Sequence, residues 1–152
     1  MKVLVTNNQT WTIGDRHYHC ELVNVKDLCR IDDNSKEDEK VAMMALLNDR
    51  IPKEGMLHPL IVTDKDVAMW KRHTHRIPTE AKYVIWYGNN RYQYAIENGY
   101  DMIDCLVLNH SILNIRDELC NQMSIVTKAN EITSNKWLKK GQKLLEQNKN
   151  IT

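Results

Sequence analysis

The chain has 152 residues, of which 42% are hydrophobic and 27% are charged, and its formal net charge is +1. These values are ordinary for one soluble globular domain with its own core, and the length is too short for two comfortable domains. The near-neutral charge of the whole chain gives no electrostatic argument for a nucleic-acid or membrane partner.

The cysteines and the apolar segments indicate the compartment. Four cysteines are scattered without a CxxC pair or a metal-ligand spacing: Cys20, Cys29, Cys105 and Cys120. Each lies in or beside an apolar run, where a free cysteine behaves as a small hydrophobic residue. No segment has the pattern of a signal peptide or the apolar length of a membrane span. We therefore expect a protein of the reducing cytoplasm, without disulfides and without a membrane partner.

The first predicted elements are a strand, a helix and a second strand. The segment Tyr18–Val25, "YHCELVNV", is rich in strand-forming residues and predicts a strand. The acid-rich segment after it predicts a helix, which we expect to end near Arg50 because Pro52 disfavours the helical conformation of the residue before it. The apolar run Leu60–Thr63, after a glycine turn, predicts a short buried strand.

The second half of the chain repeats this alternation. The segment "KYVIWY" predicts a strand, "NNRYQYAIEN" a short helix closed by Gly99, and "MIDCLVL" a core strand. Apolar spacings of three and four over residues 112–126 predict another helix, and a last helix is expected to begin at Thr133 or Ser134. We therefore predict an α/β domain with a mixed α+β sheet over residues 1–108, and two helices over residues 109–152 packed on it.

The junction "YGNNR" carries the clearest chemistry. Gly88 permits unusual backbone dihedrals and a close approach by a ligand. The first N–H groups of a helix lack intrahelical partners and carry partial positive charge, so they bind phosphate or carboxylate readily. Arg91 adds a planar cation suited to phosphate, and Asn89 and Asn90 either cap the helix or offer amides to a ligand. The alternative is an ordinary helix start, with an asparagine cap and with Arg91 on the surface.

Short motifs in a fixed order resemble the core of the ParB/sulfiredoxin superfamily from Tyr18 to Leu108. The segment "GMLHPLIV" is similar to the family's G-x-x-x-P-L/I-x-V pattern, and "GNNRYQYA" is similar to its G-x-x-R-x-x-A pattern with the alanine one residue later. The matching residues are Gly55, Pro59, Leu60, Val62, Gly88, Arg91, Ala95, Gly99 and Ile103–Leu108. The resemblance implies a compact ParB/sulfiredoxin-like fold that handles nucleotides or phosphate.

The same resemblance implies a site and its ligand. In the family, the G-x-x-R turn holds nucleotide phosphates, and a second arginine occupies roughly the place of Arg30. Apart from the resemblance, His58 precedes Pro59 on the strand entering the expected site, where it either lines the pocket or is a partly buried structural histidine. The predicted phosphate-binding residues are Gly88, Asn89, Asn90, Arg91, His58 and Arg30. The implied cofactor is a nucleoside diphosphate or triphosphate, with or without Mg²⁺. Stand-alone ParB-like domains resemble products of phages or other mobile elements that process, modify or regulate DNA, which makes DNA a second expected partner.

Departures from the family pattern exclude some of the activities that the resemblance would otherwise imply. Asn89 stands where sulfiredoxins have a catalytic cysteine, so their sulfinic-acid reductase chemistry has no nucleophile here. Asn89 and Asn90 also replace the Glu-Arg pair of the partition ParB proteins, and the residues after Leu108 are too few for the further domains of those clamps. Asp32 and Asp33 are the candidate catalytic base or metal ligand of a phosphotransferase or ParB-like nuclease, with a turn role as the alternative. Whether the chain is an enzyme stays open.

Two basic segments favour a different function, a non-catalytic module that binds DNA or a partner protein. The run "KRHTHR" is dense in positive charge, and six lysines oppose two glutamates over residues 128–152. The candidate nucleic-acid-binding residues are Lys71, Arg72, Arg76, Lys139 and Lys140. The alternatives are an exposed basic loop and a solvated helix face. No carboxylate or cysteine of suitable spacing supports the two histidines of the run, so no metal site is predicted.

Overall fold

We describe a computed structural model of the chain over residues 1–13, 16–30, 36–65, 80–108 and 135–148. The strands are β1 (Val3–Leu4), β2 (Thr10–Ile13), β3 (Arg16–His19), β4 (Glu21–Asn24), β5 (Leu28–Arg30), β6 (Leu60–Asp64), β7 (Tyr83–Tyr87) and β8 (Met102–Val107). The helices are α1 (Glu37–Glu54), α2 (Asn89–Glu97) and α3 (135–148). A 3-10 turn (Val25–Asp27) joins β4 to β5.

Six strands form one mixed sheet. Its order is β1-β8-β6-β7-β5, and β4 pairs with β8 on the side away from β6. Three pairs are parallel, namely β1 with β8, β6 with β8, and β5 with β7, whereas β6 runs antiparallel to β7 and β4 runs antiparallel to β8. β2 and β3 form a separate two-stranded hairpin. The predicted α/β class with a mixed sheet is confirmed.

The two faces of the sheet are buried differently. On one face, alternate strand residues such as Val62, Ile85 and Ile103 are fully buried and pack with Tyr94 and Ala95 of α2. On the other face, Leu106 and Leu108 pack against aromatic rings of the hairpin and of β7. Because strand side chains alternate between faces, β8 supplies both clusters from successive residues. The sheet is therefore the shared layer of two apolar cores.

A buried carboxylate fastens the N-terminal segment to the sheet. Asp104 is 1% exposed, and its Oδ2 accepts hydrogen bonds from the backbone N–H of Thr6 at 2.7 Å and from Nε2 of Gln9 at 2.7 Å. A buried carboxylate is stable only when such donors replace water. Thr6 and Gln9 lie just before the hairpin, so this network positions the hairpin over β8.

Three of the four predicted strands and the short helix are confirmed with small changes. β6, β7, α2 and β8 lie where the sequence predicts them, and α2 is followed by Gly99 at φ 72°. The single strand predicted over Tyr18–Val25 is wrong, because the chain changes partner at Cys20: β3 pairs with β2, and β4 pairs with β8. The sequence also gives no prediction of β1, β2 or β5.

The predicted end of α1 near Arg50 is also wrong. The helix continues through Pro52 to Glu54, and Gly55 at φ 76° donates its N–H to the carbonyl of Ile51 at 2.9 Å. Pro52 lies in the last turn, where it removes only one helical hydrogen bond. Ile51 is 6% exposed, so burial of its side chain favours continuing the helix.

The last described helix packs on the first. Gly141 of α3 lies so close to α1 that a Cβ added to it would be 2.2 Å from the carbonyl oxygen of Ala42. The predicted start at Thr133 or Ser134 lies outside the described residues, and the described residues 135–148 are helical. The excursion at 64–81 and the helix predicted over 112–126 lie largely or wholly outside the described residues, and the domain division at residue 108 stays a prediction. None of the described helices has the length and apolar character to cross a membrane.

Candidate functional site

One edge of the sheet gathers the predicted phosphate-binding residues. β5 and β7 are parallel, so Arg30 at the end of β5 and Gly88 after β7 lie at the same edge. β6 is antiparallel to β7, with Ile61 opposite Tyr87, so the turn that contains His58 also lies there. The structure therefore brings together Gly88, Asn89, Asn90, Arg91, His58 and Arg30.

Gly88 fits this turn because it has no side chain. Its backbone is left-handed, with φ 108° and ψ 24°, a conformation that residues with a Cβ rarely adopt. A Cβ added here would be 2.9 Å from Cγ of Leu60 and 3.1 Å from Nη2 of Arg91. Both the backbone conformation and the packing beneath it therefore require glycine.

The N-terminus of α2 carries no side-chain cap. Gly88 is its N-cap residue, and the first turn contains no acidic side chain. The expectation that Asn89 or Asn90 caps the helix is therefore wrong, because both asparagines lie inside the first turn. The N–H groups of such a turn keep their partial positive charge and their capacity to donate.

Asn89 holds a polar atom without a partner. Its side-chain Oδ1 is buried and accepts no hydrogen bond from the residues that the structure describes. A buried amide oxygen in this state costs about 1–3 kcal/mol. Rotating the amide by half a turn places Nδ2 in the same position, where it would be a donor rather than an acceptor. This side chain can therefore offer either group to a ligand at the turn.

Arg91 lies beneath the turn rather than on the surface. The residue is partly buried, and Nη1 donates to the carbonyl of His58 at 2.7 Å and to that of Pro59 at 2.6 Å. The surface position given as the alternative is wrong, because these carbonyls are held at the start of β6. Burial lowers the pKa of Arg91 to about 10, so the side chain remains charged at neutral pH. The positive charge of Arg91 therefore lies beneath the turn. Direct contact between Arg91 and a phosphate stays a prediction.

Arg30 supplies a second cation at this edge. Its guanidinium donates to Oε1 of Gln93 and lies 5.6 Å from the ring centroid of Tyr92. Gln93 in turn donates from Nε2 to the carboxylate of Glu97 at 3.1 Å, which turns its amide oxygen toward Arg30. Within the described residues, one neutral acceptor and an aromatic face therefore hold Arg30 in place.

His58 borders the same turn from the other side. Its ring is half-buried and lies 5.3 Å from the indole of Trp11, which belongs to the hairpin. Burial, and to a smaller extent the nearby Arg91 charge, lower the pKa of His58 from its ordinary value of 6.5. His58 is therefore neutral at physiological pH and can either donate or accept a hydrogen bond.

The sequence does not identify two residues that the structure places at the site. Gln93 positions Arg30, and Trp11 packs on His58, although neither belongs to the G-x-x-R turn. The i, i+4 spacing of Gln93 and Glu97 is a weak signal for a polar pair on one helix face. Nothing local signals Trp11, because its partner is 47 residues away.

The remaining predicted residues lie elsewhere. Asp32, Asp33, Lys71, Arg72 and Arg76 lie outside the described residues. Lys139 and Lys140 lie on α3, which packs against α1. Within the described ranges, no group of three or more histidines, cysteines or acids is arranged to hold a metal ion.

Comparisons with known proteins give a likeness to solved structures. No protein-family model matches the chain, and no curated protein matches it. Among solved structures, the chain is similar to sulfiredoxin from Arabidopsis thaliana, with a TM-score of 0.40 and 16% sequence identity, over 66% of this chain and 96% of that chain. A likeness of this size carries no conclusion about function. The functional assignment therefore depends on the geometry of the sheet edge.

Proposed function

We propose that this chain is a nucleotide-binding protein of the ParB/sulfiredoxin type, which holds ligand phosphate at the turn Gly88–Arg91. The observation that carries the proposal is the uncapped, acid-free N-terminus of α2, placed above the guanidinium of the partly buried Arg91. Backbone donors and a fixed positive charge in one place form the usual physical basis of a phosphate site.

The described residues fit a phosphate group. Gly88 gives the left-handed backbone that starts α2, and it lets the turn pack directly on Leu60 and Arg91, so the charge of Arg91 lies close beneath the turn. The unpartnered Oδ1 position of Asn89 gains a hydrogen bond in either amide orientation: Oδ1 there accepts from a ligand hydroxyl, and Nδ2 turned into that position donates to a phosphate oxygen. Binding therefore satisfies a group that the protein alone leaves unsatisfied.

Arg30 favours a ligand with more than one phosphate. It lies at the end of the strand next to β7, and among the described residues its guanidinium donates to the neutral amide of Gln93. A second phosphate placed between α2 and Arg30 would gain a charge-assisted hydrogen bond. This supports a nucleoside diphosphate or triphosphate rather than a monophosphate.

Turnover is a further part of the proposal. The sequence just after Arg30 contains Asp32 and Asp33, which we propose as the Mg²⁺ ligands or general base if the bound nucleotide reacts. The role in DNA processing, modification or regulation rests on the resemblance to ParB-like domains, as does any origin in a phage or other mobile element.

A thermal-shift panel tests the proposal. The protein is heated with each of the four nucleoside triphosphates and their diphosphates, with and without Mg²⁺. At least one nucleotide is expected to raise the melting temperature by several degrees at 100 times its Kd, because ligand binding to the native state adds about 2.7 kcal/mol of stability there. If no nucleotide at millimolar concentration changes the melting temperature, the proposal fails.

Two glycine variants separate the site from general destabilisation. Gly88→Ala and Gly99→Ala both place a Cβ on a left-handed residue, but a Cβ at Gly99 meets nothing within 4 Å. Both variants are therefore expected to melt below the wild type. Only Gly88→Ala is expected to lose the nucleotide-dependent shift, and equal shifts in the two variants would place the ligand elsewhere.

A further inference from the structure

The lysines of α3 lie on one side of the helix. Lys136, Lys139, Lys140 and Lys143 follow the spacing i, i+3, i+4 and i+7, which places them on one face along about 10 Å of helix axis. Over residues 135–148 these four lysines oppose one glutamate, Glu146, which gives a local net charge of +3. Lys136, Lys139 and Lys143 are exposed. The formal net charge of the whole chain, +1, does not reveal this local concentration of positive charge.

Packing on α1 fixes which way that face points. Gly141 lies against Ala42 at a distance that admits no side chain, and Trp137 and Leu144 are half-buried. These residues lie on a different side of α3 from the lysines. The apolar side of α3 therefore packs on α1, and the lysines project from the exposed side of α3.

Arg50 of α1 extends the charge across the joint between the helices. The ring of Trp137 contacts two cations, with Cζ of Arg50 at 4.8 Å and Nζ of Lys140 at 4.6 Å from its centroid. Lys143 and Lys140 line a groove with Arg50 and Asp49. Lys53 pairs with Asp49 at 3.0 Å, and Glu54 lies 3.6 Å from Arg50, so surface ion pairs offset both acids.

We propose that this basic face, made of Lys136, Lys139, Lys140, Lys143 and Arg50, binds the phosphate backbone of a nucleic acid. Successive charges along a DNA strand are about 3.4 Å apart along its axis, so a face of about 10 Å spans roughly three phosphates of one strand. The site is separate from the nucleotide turn and does not depend on it.

Charge and packing favour nucleic acid over other anionic partners. A membrane-surface helix inserts its apolar side between lipids, but that side of α3 is covered by α1. A protein interface needs a desolvated apolar or aromatic centre, whereas the exposed residues beside the lysines are polar, such as Gln142 and Gln147. Clustered lysines without an apolar centre are typical of contact with a phosphate backbone.

Fluorescence anisotropy with a labelled 30-base-pair duplex at 50 mM salt tests the inference. The double variant Lys139→Glu/Lys143→Glu is expected to bind at least tenfold more weakly than the wild type. Its slope of log affinity against log salt is expected to be smaller by about 2, because about two phosphate contacts are lost. Lys26→Glu/Lys82→Glu is the matched control, since both lysines are exposed, lie outside α1 and α3, and give the same charge change.

Several results would overturn the inference. The basic face has no such role if the wild type does not bind the duplex at low salt, or if both double variants lose affinity equally. The same conclusion follows if the wild type binds vesicles containing phosphatidylserine, and not the duplex, through Lys139 and Lys143. Circular dichroism of both double variants establishes that they are folded, so a loss of binding is not a loss of structure.

Discussion

The turn at Gly88 and the basic face of α3 both concentrate positive charge, but they hold it in opposite ways. Arg91 is partly buried and is fixed by two backbone carbonyls. Lys136, Lys139 and Lys143 are exposed at the ends of flexible side chains. A partly buried charge is screened less by salt and keeps its geometry, whereas exposed charges are screened within about 10 Å at 0.1 M salt. The fixed charge at the Gly88 turn suits a small ligand that binds in one pose. The exposed lysines of α3 suit a long polyanion that can bind in many positions.

The two regions also differ in what a substitution would damage. Arg91 links α2 to the start of β6, so any change there affects folding as well as binding. A surface lysine of α3 can be replaced with little effect on folding. Four substitutions, taken from the largest expected effect to the smallest, test this difference.

Arg91→Met is expected to lower the free energy of unfolding by about 3 kcal/mol, because it leaves the carbonyls of His58 and Pro59 buried without their donor. Lys143→Met, on the exposed face, is expected to change it by less than about 0.5 kcal/mol. Urea denaturation followed by circular dichroism measures both. Similar values for the two variants would mean that Arg91 has no structural role.

Gly141→Ala is expected to lower the free energy of unfolding by about 2 kcal/mol, because the new methyl group would overlap the carbonyl of Ala42 unless α3 moves away. The neighbouring Gln142 is exposed, and Gln142→Ala is the control. Duplex binding is expected to weaken with Gly141→Ala, since Arg50 and the lysines no longer share one face. A stable Gly141→Ala variant with unchanged duplex binding would contradict this packing.

Gln93→Glu is expected to weaken triphosphate binding by about fivefold, on the order of 1 kcal/mol, because a carboxylate would neutralise Arg30 and repel phosphate. Glu97→Gln leaves the charge of Arg30 unchanged and is the control. Isothermal titration calorimetry compares the two. Unchanged affinity in Gln93→Glu would remove Arg30 from the site while leaving the turn at Gly88 intact.

The smallest expected effect is a pH dependence of stability due to His58. Burial lowers its pKa in the folded protein below 6.5, so the unfolded chain binds more protons as the pH falls through that value. Stability is therefore complete above pH 6.5 and declines at lower pH. The urea midpoint of the wild type is expected to fall more between pH 7.5 and 5.5 than that of His58→Gln. Parallel declines in the two proteins would rule out this contribution.

The parts of the fold that the sequence predicts are those with local causes. Apolar runs predict β6, β7 and β8, and Gly88 marks the strand-to-helix turn because glycine is needed at that residue itself. β1 is two residues long and exists only through pairing with Met102 and Ile103. No pattern within so short a segment predicts a partner about 100 residues away.

The site follows the same rule. The residues of the turn are neighbours in the chain, so the G-x-x-R pattern identifies them. The burial of Arg91 depends on carbonyls 32 and 33 residues away, and the position of Arg30 depends on Gln93, 63 residues away. The sequence alone therefore suggests that Arg91 is a cation without protein partners. In the structure its guanidinium donates hydrogen bonds to two backbone carbonyls.

Amide chemical shifts from nuclear magnetic resonance test the central claim most directly. Triphosphate nucleotide is titrated into ¹⁵N-labelled protein, and duplex DNA is titrated into a second sample. We predict that the nucleotide shifts the amide signals of Asn89, Asn90 and Arg91 without moving those of Lys139 and Lys143, and that the duplex does the reverse. Nucleotide binding that leaves the amides of residues 89–91 unmoved would contradict the assignment of the phosphate site.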